Sequence, residues 1–347
     1  MTVSFLPDRS TRPTSTGALL GLDLTGLGVT CESQVPSADL PVEKADLARL
    51  ASYTRAAHLG GVSFVSLGEQ FRLRSDLRLR PDAWLDPVVA ARRIGPHAAA
   101  GLVAAVPQDA DLVAVVGQLK DIPQAAGSWA GLELSHRGDG DRFARSLEAL
   151  GRSFATARTR GPRPRVVVPV AAEAEIEAAG AFADVVRIRE QDLEWARELR
   201  YAVRSAARAA GRQDVRVLVD LRTVISADRA AARERAALIA DIDGPGASWA
   251  GALEAVGTVD DVAGTIDRWV TAGAADGFVV LPGSVPADVA ALLKGLLPEL
   301  RRRGIVAERP AEAAATRTPA PATARGAAGR AARTAPAARP EVVAVAG

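Results

Sequence analysis

"AGAADGFVVLPGSVPADVAALLKGLLPELRRRGI", residues 272–305, changes period in the middle, and that change decides the fold. Phe278, Val279, Val280 and Leu281 form a short apolar run bounded by Gly277 and Pro282, the pattern of a strand buried on both faces. Val289, Leu292, Leu293, Leu296, Leu297 and Leu300 then recur at helical spacing, as one apolar stripe. Pro286 and Asp288 suit the first turn of that helix, and three arginines followed by Gly304 suit its end. The stretch therefore predicts one buried strand followed by one continuous helix.

The same alternation extends back along the chain. Strand patterns fall at 18–26, 62–68, 100–107, 129–135, 165–170, 184–189, 215–225 and 277–282, with helical periods between them. Eight β units separated by helices predict an α/β (β/α)8 TIM barrel, because a closed parallel sheet needs strands that are apolar on both faces. An open doubly wound sheet is the alternative, and it lacks its dinucleotide turn here, since no Gly-x-Gly-x-x-Gly lies between a strand and a helix. Between the last two strands a helix ends at "DGPGASW", and Thr258 with Asp261 has capping-box spacing for a second one. "SWAG" occurs at 128 and again at 248; the first copy leads into a strand, and the second is expected to lead into that helix.

Residues 1–16 and 306–347 have no hydrophobic period and are expected to be disordered, leaving 17–305 for the barrel. The 347 residues are 48% apolar, enough for a sizeable core. A single cysteine, Cys31, excludes an intramolecular disulfide and a cysteine-rich metal site. With no apolar signal core and no apolar run of about 18 residues, a cytoplasmic protein is expected, with neither membrane nor metal. The basic isoelectric point of about 9.0 comes from the tail. Residues 310–347 hold five arginines against two glutamates, +3 within a chain total of +2, and the body is close to neutral. Nucleic-acid binding is not expected.

In a barrel of this type the reactive groups lie just past the strands' carboxyl ends. After the second strand comes the long loop 68–84 with Glu69, Arg72, Arg74, Arg78 and Arg80, either an anion-binding lid or a solvated loop. After the fourth come Ser135, His136 and Arg137. His136 is the histidine best placed to move a proton, although a loop histidine bonded to backbone fits the same position. Asp220 lies within a strand, where a carboxylate must be paired or line a polar interior; Arg222 shares its face, so a structural ion pair and a site role are both open.

The block "VGTVDDVAGTIDRWVTAGAADGFVVLPGSVPADVAALLKGLLPELRRRGI", residues 256–305, resembles the closing segment of the bacterial luciferase-like flavin monooxygenases, in the branch of the nitrilotriacetate and dibenzothiophene-sulfone monooxygenases. More weakly, "GVSFVSLGEQF", "DPVVAARRIGPHAAAGLVAAVP" and "DADLVAVVGQLKDIPQAAGSWAGLELS" are similar to its earlier segments, so the resemblance extends over about residues 18–305. It implies oxidation of a small organic substrate by reduced FMN and O2, with the flavin supplied by a separate reductase and a homo-oligomer possible in principle. Other branches use F420 for hydride transfer, and a barrel that has lost its cofactor and serves as a subunit or ligand binder is the third alternative. From their strand-end positions His136 is taken as the catalytic group and Arg72, Arg74 and Arg137 as facing substrate, while the resemblance maps Glu69, Gly131 and Ser135 toward cofactor. The cofactor site diverges from the family: Gly131 stands where that branch has Asn, and Leu134 where it has Thr. Ala171, Ala172 and Glu173 fall in the loop that receives the flavin phosphate, where Glu173 sets a carboxylate beside a dianion.

Overall fold

The computed structural model describes residues 17–27, 47–74, 84–98, 101–106, 110–119, 129–134, 140–156, 163–244 and 249–307. The expected disordered segments, 1–16 and all but the first two residues of 306–347, lie outside them. Eleven strands occur among the described residues: β1 (Leu19–Asp23), β2 (Phe64–Leu67), β3 (Leu73–Arg74), β4 (Trp84–Leu85), β5 (Leu102–Val106), β6 (Gly131–Leu134), β7 (Arg165–Val170), β8 (Val185–Ile188), β9 (Arg216–Ile225), β10 (Leu253–Gly257) and β11 (Gly277–Pro282). The helices are α1 (Leu47–Gly60), α2 (Pro87–Ala98), α3 (Leu112–Leu119), α4 (Gly140–Thr156), α5 (Ile176–Phe182), α6 (Leu193–Ala209), α7 (Arg229–Asp243), α8 (Val259–Thr271), α9 (Val285–Ala291) and α10 (Leu297–Arg302). None is long and apolar enough to cross a membrane.

Eight strands close into a parallel ring in the order β1, β2, β5, β6, β7, β8, β9, β11 and back to β1. All eight sequence-predicted strands are in it, and closure excludes the open sheet. The fold is a (β/α)8 TIM barrel. Its principal core lies between the ring and the helices, with Leu20, Leu22, Val65, Phe278 and Val280 on the outward strand faces against Leu50, Ile266, Trp269, Leu296 and Leu300. A smaller apolar layer fills the ring itself: Phe64, Val103, Trp129, Val167, Val185, Leu218 and Val279. Phe64 takes the space that Gly21 leaves, since a Cβ at Gly21 would come within 2.4 Å of its ring.

Two expectations are corrected, on the second "SWAG" and on the closing helix. The second "SWAG" leads into β10, which pairs with the upper half of β9, Leu253 to Gly257 beside Leu221 to Ile225. β9 is ten residues long and outruns β8, so its free upper edge takes another strand before α8 begins at the Thr258–Asp261 capping box. Loop 68–84 contains the small antiparallel pair β3–β4 and buries Phe71 and Leu73 completely or nearly so. The closing helix is not continuous: Leu292–Leu296 forms a π turn between α9 and α10, where Leu297 N donates to Leu292 O. Pro298 follows directly and has no N–H to continue the α pattern.

Candidate functional site at the strand carboxyl ends

Above the apolar layer the barrel interior turns polar. Asp23 of β1, Ser66 of β2, Glu133 of β6, Arg187 of β8 and Asp220 of β9 all converge there, each at most 9% exposed. Period-two alternation explains the layer, since Ser66, Arg187 and Asp220 stand two residues beyond Phe64, Val185 and Leu218 on the same strand faces.

Arg187 is the centre. Its Nε and Nη2 donate to the two carboxylate oxygens of Asp220 at 2.8 and 2.9 Å. Its Nη1 donates to Glu133 Oε2 at 2.6 Å and to Ser66 Oγ at 3.2 Å, and Nη2 lies 3.6 Å from Asp23 Oδ2. Arg189, at the end of β8, adds a 3.0 Å bond to Asp220. Burial on its own would lower the Arg187 pKa; the surrounding carboxylates of Asp220, Glu133 and Asp23 outweigh it and hold the pKa well above its ordinary value. Glu133 moves upward. Burial is the largest cause, Arg187 opposes it, and Asp220 and Asp23 push the same way as burial. Glu133 thus keeps its proton to a higher pH than a free glutamate would.

Asp220 is thus ion-paired, with Arg187 and Arg189 and not with Arg222 on its own strand face. Arg222 lies higher on β9, donates to Glu254 of β10 at 3.1 Å and stacks on Trp249, its guanidinium carbon 3.5 Å from the ring centroid. The unforeseen strand β10 draws it away.

At the rim, Glu69 and Arg72 line a cavity of about 240 Å3 together with Asp86, Val88, Ala105 and Val106, past the ends of β2 and β5. Arg72 also braces its own loop, donating to the carbonyls of Glu69 and Phe71 at 2.8 Å each. Arg74 ends β3, its backbone paired with Trp84 of β4. Ser135, His136, Arg137, Arg78 and Arg80 lie outside the described residues. Gly131 is the first residue of β6, at the amino end, where a Cβ would meet Arg165 O at 2.8 Å and the Trp129 ring at 3.2 Å.

Ala171 and Ala172 follow β7 in an exposed turn, and Glu173 opens the short 3-10 turn 173–175 that leads into α5. The carboxylate that governs this turn belongs to Glu175. Its Oε2 accepts from Ala171 N at 2.7 Å and from Ala172 N at 3.2 Å, and the residue is only 5% exposed. A phosphate received at this turn would meet amides already engaged and a carboxylate in its place. The turn as it stands does not fit a flavin phosphate. Among the described residues no group of three or more His, Cys, Asp or Glu side chains is placed to hold a metal ion.

The barrel is shared with solved oxidoreductases. EDTA monooxygenase from Chelativorans sp. BNC1 has a TM-score of 0.65 at 15% identity, covering 84% of this chain and 95% of that one. A long-chain alkane monooxygenase gives 0.62 at 12% identity over 85% and 94%. The F420-dependent tetrahydromethanopterin reductase from Methanopyrus kandleri gives 0.55 at 11% over 82% and 99%. At these identities the likeness is one of fold. No family profile matches the chain, and no curated protein matches it.

Of the polar floor the sequence reading found Asp220 alone, and it missed Glu175. The signal for the rest was present as one polar residue near the carboxyl end of each of four apolar strands, "LLGLD", "FVSL", "GLEL" and "VVRI", beside Asp220 midway along β9. For Glu175 it was a glutamate three residues after the turn position Ala172, half of a capping box.

Proposed function

We propose that this chain is a luciferase-like, flavin-dependent oxidoreductase of the monooxygenase kind, oxidising a small organic substrate with reduced FMN and O2. The observation that carries the reading is the closed parallel ring, shared over 84% of the chain with a monooxygenase and supported by the resemblance of residues 256–305. Reduced flavin, brought by a separate reductase, would supply the electrons for O2. The chain's own part lies at the rim. Glu69 and Arg72 border the small cavity, Ser135, His136 and Arg137 follow β6 in the sequence, and Glu133 is a buried carboxyl of raised proton affinity in the barrel floor. In this reading the flavin is held by its ring and not by a phosphate at the β7 turn. F420 is the alternative cofactor, in keeping with the F420-dependent reductase among the structures that share the fold.

The engaged amides of Ala171 and Ala172 favour a second reading, a barrel without cofactor that serves as a subunit or ligand binder. Anaerobic titration with reduced FMN, oxidised FMN and F420 under equal conditions separates them. Saturable binding of reduced FMN is the expected outcome; preference for F420 would replace the cofactor, and binding of none would leave the cofactor-free barrel.

A further inference from the structure

The turn after β7 has the geometry of an anion cradle with its anion built in. Two consecutive backbone amides, Ala171 and Ala172, converge on one carboxylate oxygen of a side chain only four and three residues on. Backbone closes the loop in return, as Glu175 N donates to Ala172 O at 3.1 Å. Ala171 and Ala172 are exposed while Glu175 is buried, so the carboxylate lies beneath amides that a solute could otherwise reach. Beside it, between α4 and α5, is a cavity of about 520 Å3 whose walls include Asp141, Glu148, Glu175 and Glu177 together with Phe143 and Phe182. No arginine or lysine is among its described lining residues; Arg152 reaches Glu148 from outside at 3.7 Å. A free phosphate or a phosphorylated ligand approaching here would have to displace a buried carboxylate and then sit among several more, each repelling it.

We infer that Glu175 is a resident anion that closes this strand-end turn to phosphate, so that the rim selects ligands without regard to a phosphate group. Glu175 is thereby a specificity-determining residue. The consequence for flavins rests on the function proposed above: FMN and riboflavin should bind alike.

Two measurements test it on the full chain and its Glu175→Ala variant, with Glu175→Ser in reserve because its hydroxyl can still cap the turn. The first follows the 15N amide resonances of Ala171 and Ala172 as millimolar inorganic phosphate is added. They should stay in place in the wild type and move in the variant. Movement in the wild type overturns the inference, and so does immobility in both proteins, which would leave Glu175 as a helix cap and nothing more. The second compares affinities for FMN and riboflavin. The wild type should bind the two within about twofold, and the variant should favour FMN by about tenfold; a wild type that already favours FMN tenfold overturns the inference. Binding of neither flavin to either protein, with the phosphate result as expected, would sink the flavin reading and uphold the closed turn.

Discussion

Glu133 is one of three carboxylates that share Arg187, and its pKa is raised above the ordinary 4.5, by burial first and by the nearby charges of Asp220 and Asp23 in addition. A carboxyl whose folded pKa lies above its unfolded one stabilises the fold fully below pH 4.5. That contribution is lost as the pH rises through the folded value, because the ionised form must then sit desolvated beside two other carboxylates. Glu133→Gln keeps an oxygen to accept from Arg187 and cannot ionise. Urea midpoints taken from pH 4.5 upward should fall more steeply in the wild type than in Glu133→Gln. Parallel curves would show that folding does not raise the Glu133 pKa. The same residue shows how the sequence concealed the floor. "GLEL" reads as a strand with one glutamate, and nothing local says that its side chain meets Arg187, 54 positions away.

Single elements show why some glycines and aspartates are where they are. Two strands begin after an aspartate: Asp184 before β8 accepts from Val166 N at 2.9 Å and from Arg163 and Arg212, and Asp276 before β11 accepts from Val217 N at 2.9 Å and from Arg200 and Arg204. Each ties the amino end of its strand to a neighbour, on the barrel face where such residues serve stability. Gly277, next to Asp276, is fixed by a close approach: a Cβ there would stand 2.1 Å from Leu19 O of β1. Gly277→Ala must push β1 and β11 apart, and should cost about 2 kcal/mol or more of stability, read as a lowered urea midpoint with an unchanged slope. A variant as stable as the wild type would mean that the β1–β11 contact is looser than described. The strand "DGFVVLP" was legible from its pattern, and its bounds agree with 277–282. The π turn after it was not, because an apolar stripe of Val289, Leu292, Leu296, Leu297 and Leu300 is buried whether or not the hydrogen bonds slip by one residue.

For the whole molecule, closure is the property that matters. Every ring strand has a partner on each side, whereas β10 is paired with β9 alone and has the alternating burial of a half-exposed strand. Hydrogen exchange should therefore find the ring amides protected to near the global unfolding free energy, with Ala255 and its neighbours in β10 opening earlier. Equal protection would indicate that β10 is an integral part of the ring's cooperative unit. Closure also gathers the polar floor from β1, β2, β6, β8 and β9, so the candidate site exists only once the ring has formed.

The sequence by itself determined the eight buried strands and the helices between them, because period and apolar content are local and each strand must be covered on both faces; ring closure, which separates the barrel from an open sheet, was expected from the count of eight and decided by the pairing of β11 with β1 and β9. Tertiary structure alone decided that Asp220 would face Arg187 and not Arg222, that β9's spare edge would recruit β10, and that Glu175 would fold back onto Ala171 and Ala172. Those outcomes depend on which strands become neighbours and how far each outruns the next, and on the desolvation that makes every buried charge find the partner within reach.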